Sequence, residues 1–240
     1  MMDYSWLVLL VAGLAFAQVK RPVDEGATSS GPVRVTVIHH ASLMIEGGGQ
    51  VIHVDPWSSG NYQGLPQADL ILITHSHGDH LDPPLVAKLK KPGTLVLAPE
   101  AVAKSLAGTT VIRNGETRKF GEWTIEAVPA YNLKRGPSPG SFYHPKGEGN
   151  GYVLTFAGRR TYIAGDTEAI PEMKLLKDIE VAFLPMNLPY TMTPEEAAQA
   201  ALAFKPMVVY PYHCRGTDLA AFQKALAGSG IEVRIRDWYY

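Results

Sequence analysis

His75-Ser76-His77-Gly78-Asp79-His80 directly follows the apolar run Leu70-Ile71-Leu72-Ile73, and this stretch decides how the chain reads. Three histidines and an aspartate lie on a loop that leaves a predicted buried strand. A helix would scatter these side chains around a cylinder, whereas a tight loop brings them to one point. Neutral imidazole suits zinc and iron, and a carboxylate adds a charged oxygen ligand. The competing reading is a polar loop that merely holds three histidines, and the rest of the chain argues against it. Ile163-Ala164-Gly165-Asp166-Thr167 puts an aspartate after a second apolar strand, and Val208-Val209-Tyr210-Pro211-Tyr212-His213 puts a histidine after a third. Strand ends that open into loops are where α/β sheets gather binding groups.

In this order, the HxHxDH loop, the Gly-Asp-Thr segment and the strand-end histidine resemble the metallo-β-lactamase superfamily of metallohydrolases. The resemblance runs from Val33 to the C-terminus. It implies a four-layer αββα sandwich, two sheets face to face with helices outside, where periodicity alone gives only α/β. It also implies two divalent metal ions, zinc first, with manganese or iron as alternatives. His75 and His77 would hold one ion; Asp79, His80 and His213 the other; Asp166 would bridge both. Such a pair can polarise a substrate oxygen and hold a hydroxide at neutral pH. Asp79 is the ligand expected to be needed for turnover.

One ligand of the family pattern is missing. A further histidine usually follows a strand between HxHxDH and Gly-Asp-Thr, but here Ile125-Glu126-Ala127-Val128-Pro129-Ala130 leads to Tyr131-Asn132. The interval holds one histidine, His144. Its loop, residues 132–150, contains four glycines and three prolines and has the freedom to fold back. His144 is the expected replacement; the alternatives are a depleted first site, with His144 contacting substrate and Asn132 or water filling in, and a plain surface histidine. Asp55, in Val54-Asp55-Pro56-Trp57, is expected to support the HxHxDH loop from behind, with a plain turn aspartate before proline as the competing reading. Thr167 is expected to orient Asp166. His39 and His40 end the first strand; ordinary half-buried histidines are the simpler reading, with one of them reaching the site as the alternative. His53 and Cys214 read as structural.

Composition sets the outer bounds. The chain has 240 residues, 22 basic and 23 acidic, enough for one sizeable core and giving no sign of a polyanion partner. Its single cysteine excludes an internal disulfide. Leu7-Val8-Leu9-Leu10-Val11-Ala12-Gly13-Leu14-Ala15-Phe16 ends in an A-x-A pattern at Ala17. Residues 1–17 therefore read as a secretory signal peptide or, if uncleaved, an anchor, despite Asp3 and no basic residue before the apolar run. The expected location is secreted or periplasmic, with membrane contact only through that segment. Residues 18–32 read as a flexible lead-in, and residues 33–240 as one metallo-hydrolase domain.

Strands are expected at 33–38, 43–46, 51–54, 69–74, 94–98, 110–112, 117–120, 123–128, 152–156, 160–164, 181–185, 207–210 and 231–236. Gly47-Gly48-Gly49 reads as a hairpin turn. Helices are expected after Asp82-Pro83-Pro84, over 99–107, 171–177 and 219–227, and over 194–204 behind the capping box Thr193-Pro194-Glu195-Glu196.

Smaller motifs narrow the branch. His40-Ala41-Ser42, Asp55-Pro56-Trp57, Thr191-Met192-Thr193-Pro194-Glu195-Glu196-Ala197 and Pro211-Tyr212-His213 resemble small metal-dependent hydrolases related to ascorbate-6-phosphate lactonase and to N-acyl-phosphatidylethanolamine phospholipase D type enzymes. The expectation is hydrolysis of an ester, lactone or phosphodiester in a small-molecule substrate, with no nucleic-acid partner. A metal-binding or sensing protein without turnover is the alternative, and a true β-lactamase ranks below both.

Overall fold

Residues 21–240 are described by a computed structural model; the expected signal segment lies outside them. The first sheet holds seven strands in chain order: β1 (Val23–Gly26), β2 (Val33–His39), β3 (Ser42–Gly47), β4 (Gln50–Val54), β5 (Ala68–Leu72), β6 (Lys90–Ala98) and β7 (Thr110–Val111). Helices α1 (Pro83–Leu89) and α2 (Glu100–Ala103) occupy the crossovers on either side of β6. The second sheet also holds seven: β8 (Thr117–Phe120), β9 (Trp123–Ala130), β10 (Gly149–Phe156), β11 (Arg159–Ile163), β12 (Ile179–Pro185), β13 (Val208–Tyr212) and β14 (Glu232–Val233). A 3-10 turn (Pro171–Leu175), α3 (Pro194–Phe204) and α4 (Leu219–Ala225) fill its crossovers. Both sheets follow one plan. Three antiparallel pairings come first, joined in part by short turns, and three parallel pairings follow, which need longer crossovers.

The apolar run before the histidine loop shows how the layers form. Leu70 and Leu72 face the core between the sheets, while Ile71 and Ile73 face a separate cluster with Leu85, Val86 and Leu89 of α1. A strand buried on both faces has no polar alternation, which is why the run is continuous. On the second sheet, Ala197, Ala198, Ala201 and Phe204 of α3 cover the outer face. The β3–β4 hairpin turns at Gly48 (φ 59°) and Gly49 (φ 72°), the two positive angles that a type I′ turn requires. Beside it, the buried Trp123 indole donates to the Gly47 carbonyl at 3.2 Å and locks the two sheets together.

Several elements differ from expectation. Within the lead-in, Val23–Gly26 is a strand, antiparallel to β2. Its charges and Pro22 resemble linker chemistry, but they are used: Arg236 grips Asp24 at 2.6 and 2.8 Å, and the Pro22 carbonyl accepts from Val37 N–H. Helix α2 stops at Ala103, where the Ser105 hydroxyl bonds the Val102 carbonyl and competes with helical continuation. The last strand shrinks to Glu232–Val233 at the sheet edge. The Asp82 cap on α1 and the Thr193/Glu196 box on α3 form as read. No helix among the described residues is long and apolar enough to cross a membrane.

Candidate metal centre

Strand ends from both sheets meet along one edge of the sandwich. The Asn150 N–H donates to the Thr74 carbonyl at 2.8 Å, Tyr152 Oη to the Ile73 carbonyl at 2.7 Å, and the His213 N–H to the His40 carbonyl at 2.9 Å. These bonds tie the loop after β5 to β10, and the loop after β2 to the end of β13. Three non-glycine residues here hold positive φ: His40 (56°), Asp55 (45°) and His213 (45°). Such a backbone persists only where its surroundings over-determine it, and it clusters at functional sites. Gly165 is also positive (φ 66°), and a Cβ there would lie 2.7 Å from the Asn150 carbonyl, so only glycine lets the Asp166 turn pack.

The expected ligands converge. Asp166 is buried at the centre, with Oδ2 3.2 Å from His213 Nε2 and 3.3 Å from His144 Nε2, and Oδ1 3.4 Å from His80 Nε2. His75 Nε2 lies 3.1 Å from His77 Nδ1. Asp79 Oδ2 lies 3.5 Å from His213 Nε2 and 3.9 Å from His80 Nε2. Donor atoms fall into overlapping sets with all separations within 4.8 Å: His75, His77 and His144; His75, His80 and Asp166; and His40, Asp79, His80 and His213. The 132–150 loop thus carries His144 to the side of His75 and His77.

Three of the candidate ligand rings, those of His80, His75 and His144, are turned by a partner at the other nitrogen. Asp55 is fully buried; it accepts from Thr74 N–H at 2.7 Å, Thr74 Oγ1 at 2.6 Å and His80 Nδ1 at 2.8 Å. A carboxylate only accepts, so Nδ1 of His80 carries the proton and Nε2 is left bare. Thr74 spends its hydrogen on Asp55, so its oxygen accepts from His75 Nδ1 at 3.0 Å, and His75 Nε2 is bare as well. Asn132 Oδ1 accepts from both the N–H and Nδ1 of His144, at 2.7 and 2.8 Å. Its amide cannot flip, because Nδ2 donates to the Tyr190 carbonyl at 2.9 Å. Asn132, the alternative ligand in the sequence, is therefore the residue that orients His144.

Thr74 and Glu168 also serve the site, outside the motifs that mark the ligands. A hydroxyl residue immediately before HxHxDH was the visible signal for Thr74. Buried Glu168 accepts from the Arg135 N–H at 2.7 Å and pairs with the Arg135 guanidinium at 3.2 Å, pinning the loop that delivers His144. Thr167 bonds the backbone of Tyr131, donating to its carbonyl at 3.0 Å and accepting from its N–H at 3.1 Å. It staples the chain just beyond β9 to the chain just beyond β11, next to Asp166. His39 packs against Trp57 and Arg215 outside the ligand group, His53 is buried against the Pro66 carbonyl, and Cys214 is a buried thiol pushed up to about 12 by desolvation.

The electrostatics fit a cation. Buried Nε2 atoms of His80, His144 and His213, together with Asp166 Oδ1, have no hydrogen-bond partner in the protein although they face one another. Burial opposes charge on His80, yet the carboxylates of Asp166, Asp55 and Asp79 prevail and push its pKa up to about 9, so the metal-free site favours a cation at Nε2, a proton whose place a metal ion would take. Burial holds His75 well below the usual histidine range, helped by the neighbouring His80. Asp166 is held well below the carboxylate range: desolvation works against its charge, but His213, His80, His144 and His75 outweigh it. An anionic centre ringed by bare nitrogens suits divalent zinc, manganese or iron.

This fold and donor set define the metallo-β-lactamase class of metal-dependent hydrolases. Residues 34–213 match the Beta-lactamase superfamily domain, and the chain belongs to that superfamily. It is 34% identical to a UPF0173 metal-dependent hydrolase of Thermus thermophilus, over 83% of this chain and 94% of that one. A second, from Thermococcus kodakarensis, is 32% identical over 75% of this chain and 84% of the relative. A crystal structure described as a metal-dependent hydrolase of Parabacteroides distasonis aligns with TM-score 0.85 and 48% identity, covering 90% of this chain and 99% of that one. Igni18, a metallo hydrolase of Ignicoccus hospitalis, aligns at 0.71 with 26% identity, over 85% and 95% of the two chains.

Proposed function

We propose that this hydrolase cleaves an ester, lactone or phosphodiester in a small molecule at a binuclear metal site. The observation that carries the proposal is the set of bare, buried Nε2 atoms of His80, His144 and His213 around the Asp166 carboxylate. His75, His77 and His144 would hold one divalent ion, Asp79, His80 and His213 the second, and Asp166 would reach both. Zinc is the first choice, manganese and iron the alternatives; such ions supply a Lewis acid and lower the pKa of water from about 15.7 to about 7.

The chain's own residues do the rest. Asp79 is the ligand carboxylate open to solvent, and it would accept a hydrogen bond from the attacking water. Burial opposes its charge, but the neighbouring His213 and His40 keep it well below the carboxylate range, so it stays an acceptor. Exposed Leu133, Phe142, Leu188 and Tyr190 stand on the two loops joined by Asn132 and offer apolar contact to the substrate. Nearby cations are engaged: Lys134 with Glu196, Arg135 with Glu168 and Glu196, Lys146 with Glu172. That pairing supports a small substrate over a polyanion. The apolar segment before Gln18 supports export, tested by a mature N-terminus beginning at Gln18.

The test is metal content per chain by plasma mass spectrometry, on wild type and His144→Ala purified without chelator. Two equivalents in wild type and a loss in the variant are expected, followed by turnover of one class in a panel of esters, lactones and phosphodiesters that Asp79→Ala abolishes. One equivalent or none after zinc or manganese is supplied would overturn the binuclear mechanism and favour a metal-binding or sensing role.

A further inference from the structure

His40 sits among the ligands of the second ion without belonging to the set that the loop motif supplies. Its ring lies 3.8 Å, centroid to centroid, from that of His213, and its Nε2 is 3.2 Å from Asp79 Oδ2. Its donor atom falls within 4.8 Å of those of Asp79, His80 and His213, so distance alone would make it a fourth ligand. The bonds at its other nitrogen say otherwise. His40 Nδ1 lies 2.9 Å from Tyr239 Oη, and the same phenol oxygen accepts from the Cys214 N–H at 3.1 Å. The Asp79 carboxylate only accepts, so the proton of the neutral ring belongs on Nε2, which donates to it, and Nδ1 then accepts the phenol hydrogen while the phenol oxygen accepts from Cys214. A nitrogen that carries a proton has no lone pair for a metal.

We propose that His40 is a positioning residue for Asp79, set in its tautomer by Tyr239, and that it is not itself a metal ligand. The relay runs Cys214 N–H to Tyr239 O–H to His40 to Asp79. It fixes the ligand carboxylate that lies partly open to solvent, which otherwise has the freedom to swing away. The backbone is built for this: His40 holds φ 56° while its N–H donates to the Trp238 carbonyl at 3.1 Å and its carbonyl accepts from His213 N–H at 2.9 Å. The C-terminal residues Trp238 and Tyr239 are thereby part of the metal centre's support, though they lie far from the loop motif in sequence.

This inference rests on the binuclear reading above. Its test is titration of metal-free protein with zinc against a chromophoric chelator, together with the visible absorption of the cobalt-loaded protein. The variants are His40→Ala, His40→Gln and Tyr239→Phe. Glutamine places an amide donor near the position of Nε2 but is a far poorer metal ligand. His40→Ala is expected to weaken the second equivalent about 10- to 100-fold and leave the first unchanged, and Tyr239→Phe to weaken the same equivalent about 10-fold. His40→Gln is expected to restore most of the loss and to keep the wild-type cobalt spectrum. Equal loss in His40→Gln and His40→Ala, or a shifted cobalt spectrum in His40→Gln, would make His40 a ligand and overturn the proposal. Wild-type binding in Tyr239→Phe would break the relay and overturn it as well. If His40→Ala does not fold, the other two variants decide. Fewer than two equivalents in wild type would instead overturn the binuclear reading itself, a result distinct from any of these.

Discussion

Asp55→Asn is nearly isosteric, yet the geometry predicts that it disables one metal position while the fold survives. Oδ1 of Asp55 accepts from the Thr74 N–H at 2.7 Å, so the asparagine must keep its oxygen there. The amide NH2 then replaces Oδ2, which now accepts from Thr74 Oγ1 at 2.6 Å and His80 Nδ1 at 2.8 Å. An NH2 donates, so His80 Nδ1 must become the acceptor and the ring proton moves to Nε2, the atom that faces Asp166. The wrong tautomer blocks the ligand without displacing it.

Two charge-assisted bonds are lost, each worth about 1.5–3 kcal/mol, and the amide restores part of this through its new bond to His80, leaving a net cost of about 1.5–3 kcal/mol. Outer partners of ligating histidines typically govern metal affinity by about 10- to 100-fold, or about 1.4–2.8 kcal/mol. Chelator competition should therefore show one equivalent of zinc at wild-type affinity and the second weakened by that factor, with thermal unfolding of the metal-free protein still cooperative. Two equivalents at unchanged affinity would refute the tautomer argument. So would equal weakening of both, which would mean that the substitution loosens the loop as a whole.

Three further outcomes follow from the same contacts. Asn132→Ala removes both acceptor bonds to His144 and should cost the first metal position about 10- to 100-fold in affinity, read by the same competition, while its counterpart holds. Trp123→Ala deletes the indole wedged between the sheets against Gly47 and Phe156; urea unfolding should show a loss of about 3–5 kcal/mol. His53 is held neutral by burial, with its pKa lowered to about 4, so protonation favours the unfolded chain, where the value is 6.5. Its contribution is whole above pH 6.5 and is lost as pH falls from there towards 4, at most about 3 kcal/mol, so melting curves of His53→Gln should lose less stability across that window than wild type.

What the sequence disclosed, and what it withheld, follows from how each role is encoded. Ligands on one tight loop after an apolar strand show as local pattern, because a few adjacent residues must supply both loop and donors. The two-sided burial of Leu70-Ile71-Leu72-Ile73 was legible for the same reason: one strand carries the whole signal. His144 was reachable only through the gap it fills, since its loop is fixed by Glu168 and Asn132 from distant strands. Strand β1 was hidden because its stability comes from the open edge of β2 and from Arg236, neither of which marks residues 23–26 themselves. Asn132 stood in the sequence only as the alternative to His144, because an amide beside a metal site can serve as ligand or support, and only the direction of its hydrogen bonds separates the two.

The supporting groups share a chemical logic. His80, His75 and His144 are turned by a carboxylate, a hydroxyl and an amide oxygen, three unlike side chains with one common property: each presents an acceptor to Nδ1. Each leaves a bare Nε2 pointing inward. At His40 the inward nitrogen faces the acceptor-only Asp79 carboxylate, so it carries the proton, and the partner behind it is a phenol able to donate to Nδ1. The same side chain, a few ångströms from the same carboxylates, is thus made a ligand or a hydrogen-bond donor by the polarity of one contact on its far side. A metal centre built this way is specified as much by the residues behind the histidines as by the histidines. That is why Asp55→Asn, which exchanges one oxygen for an amide nitrogen and changes no ligand, should weaken one ion by as much as about 100-fold, whereas Tyr239→Phe, which removes one oxygen, should weaken it by about 10-fold.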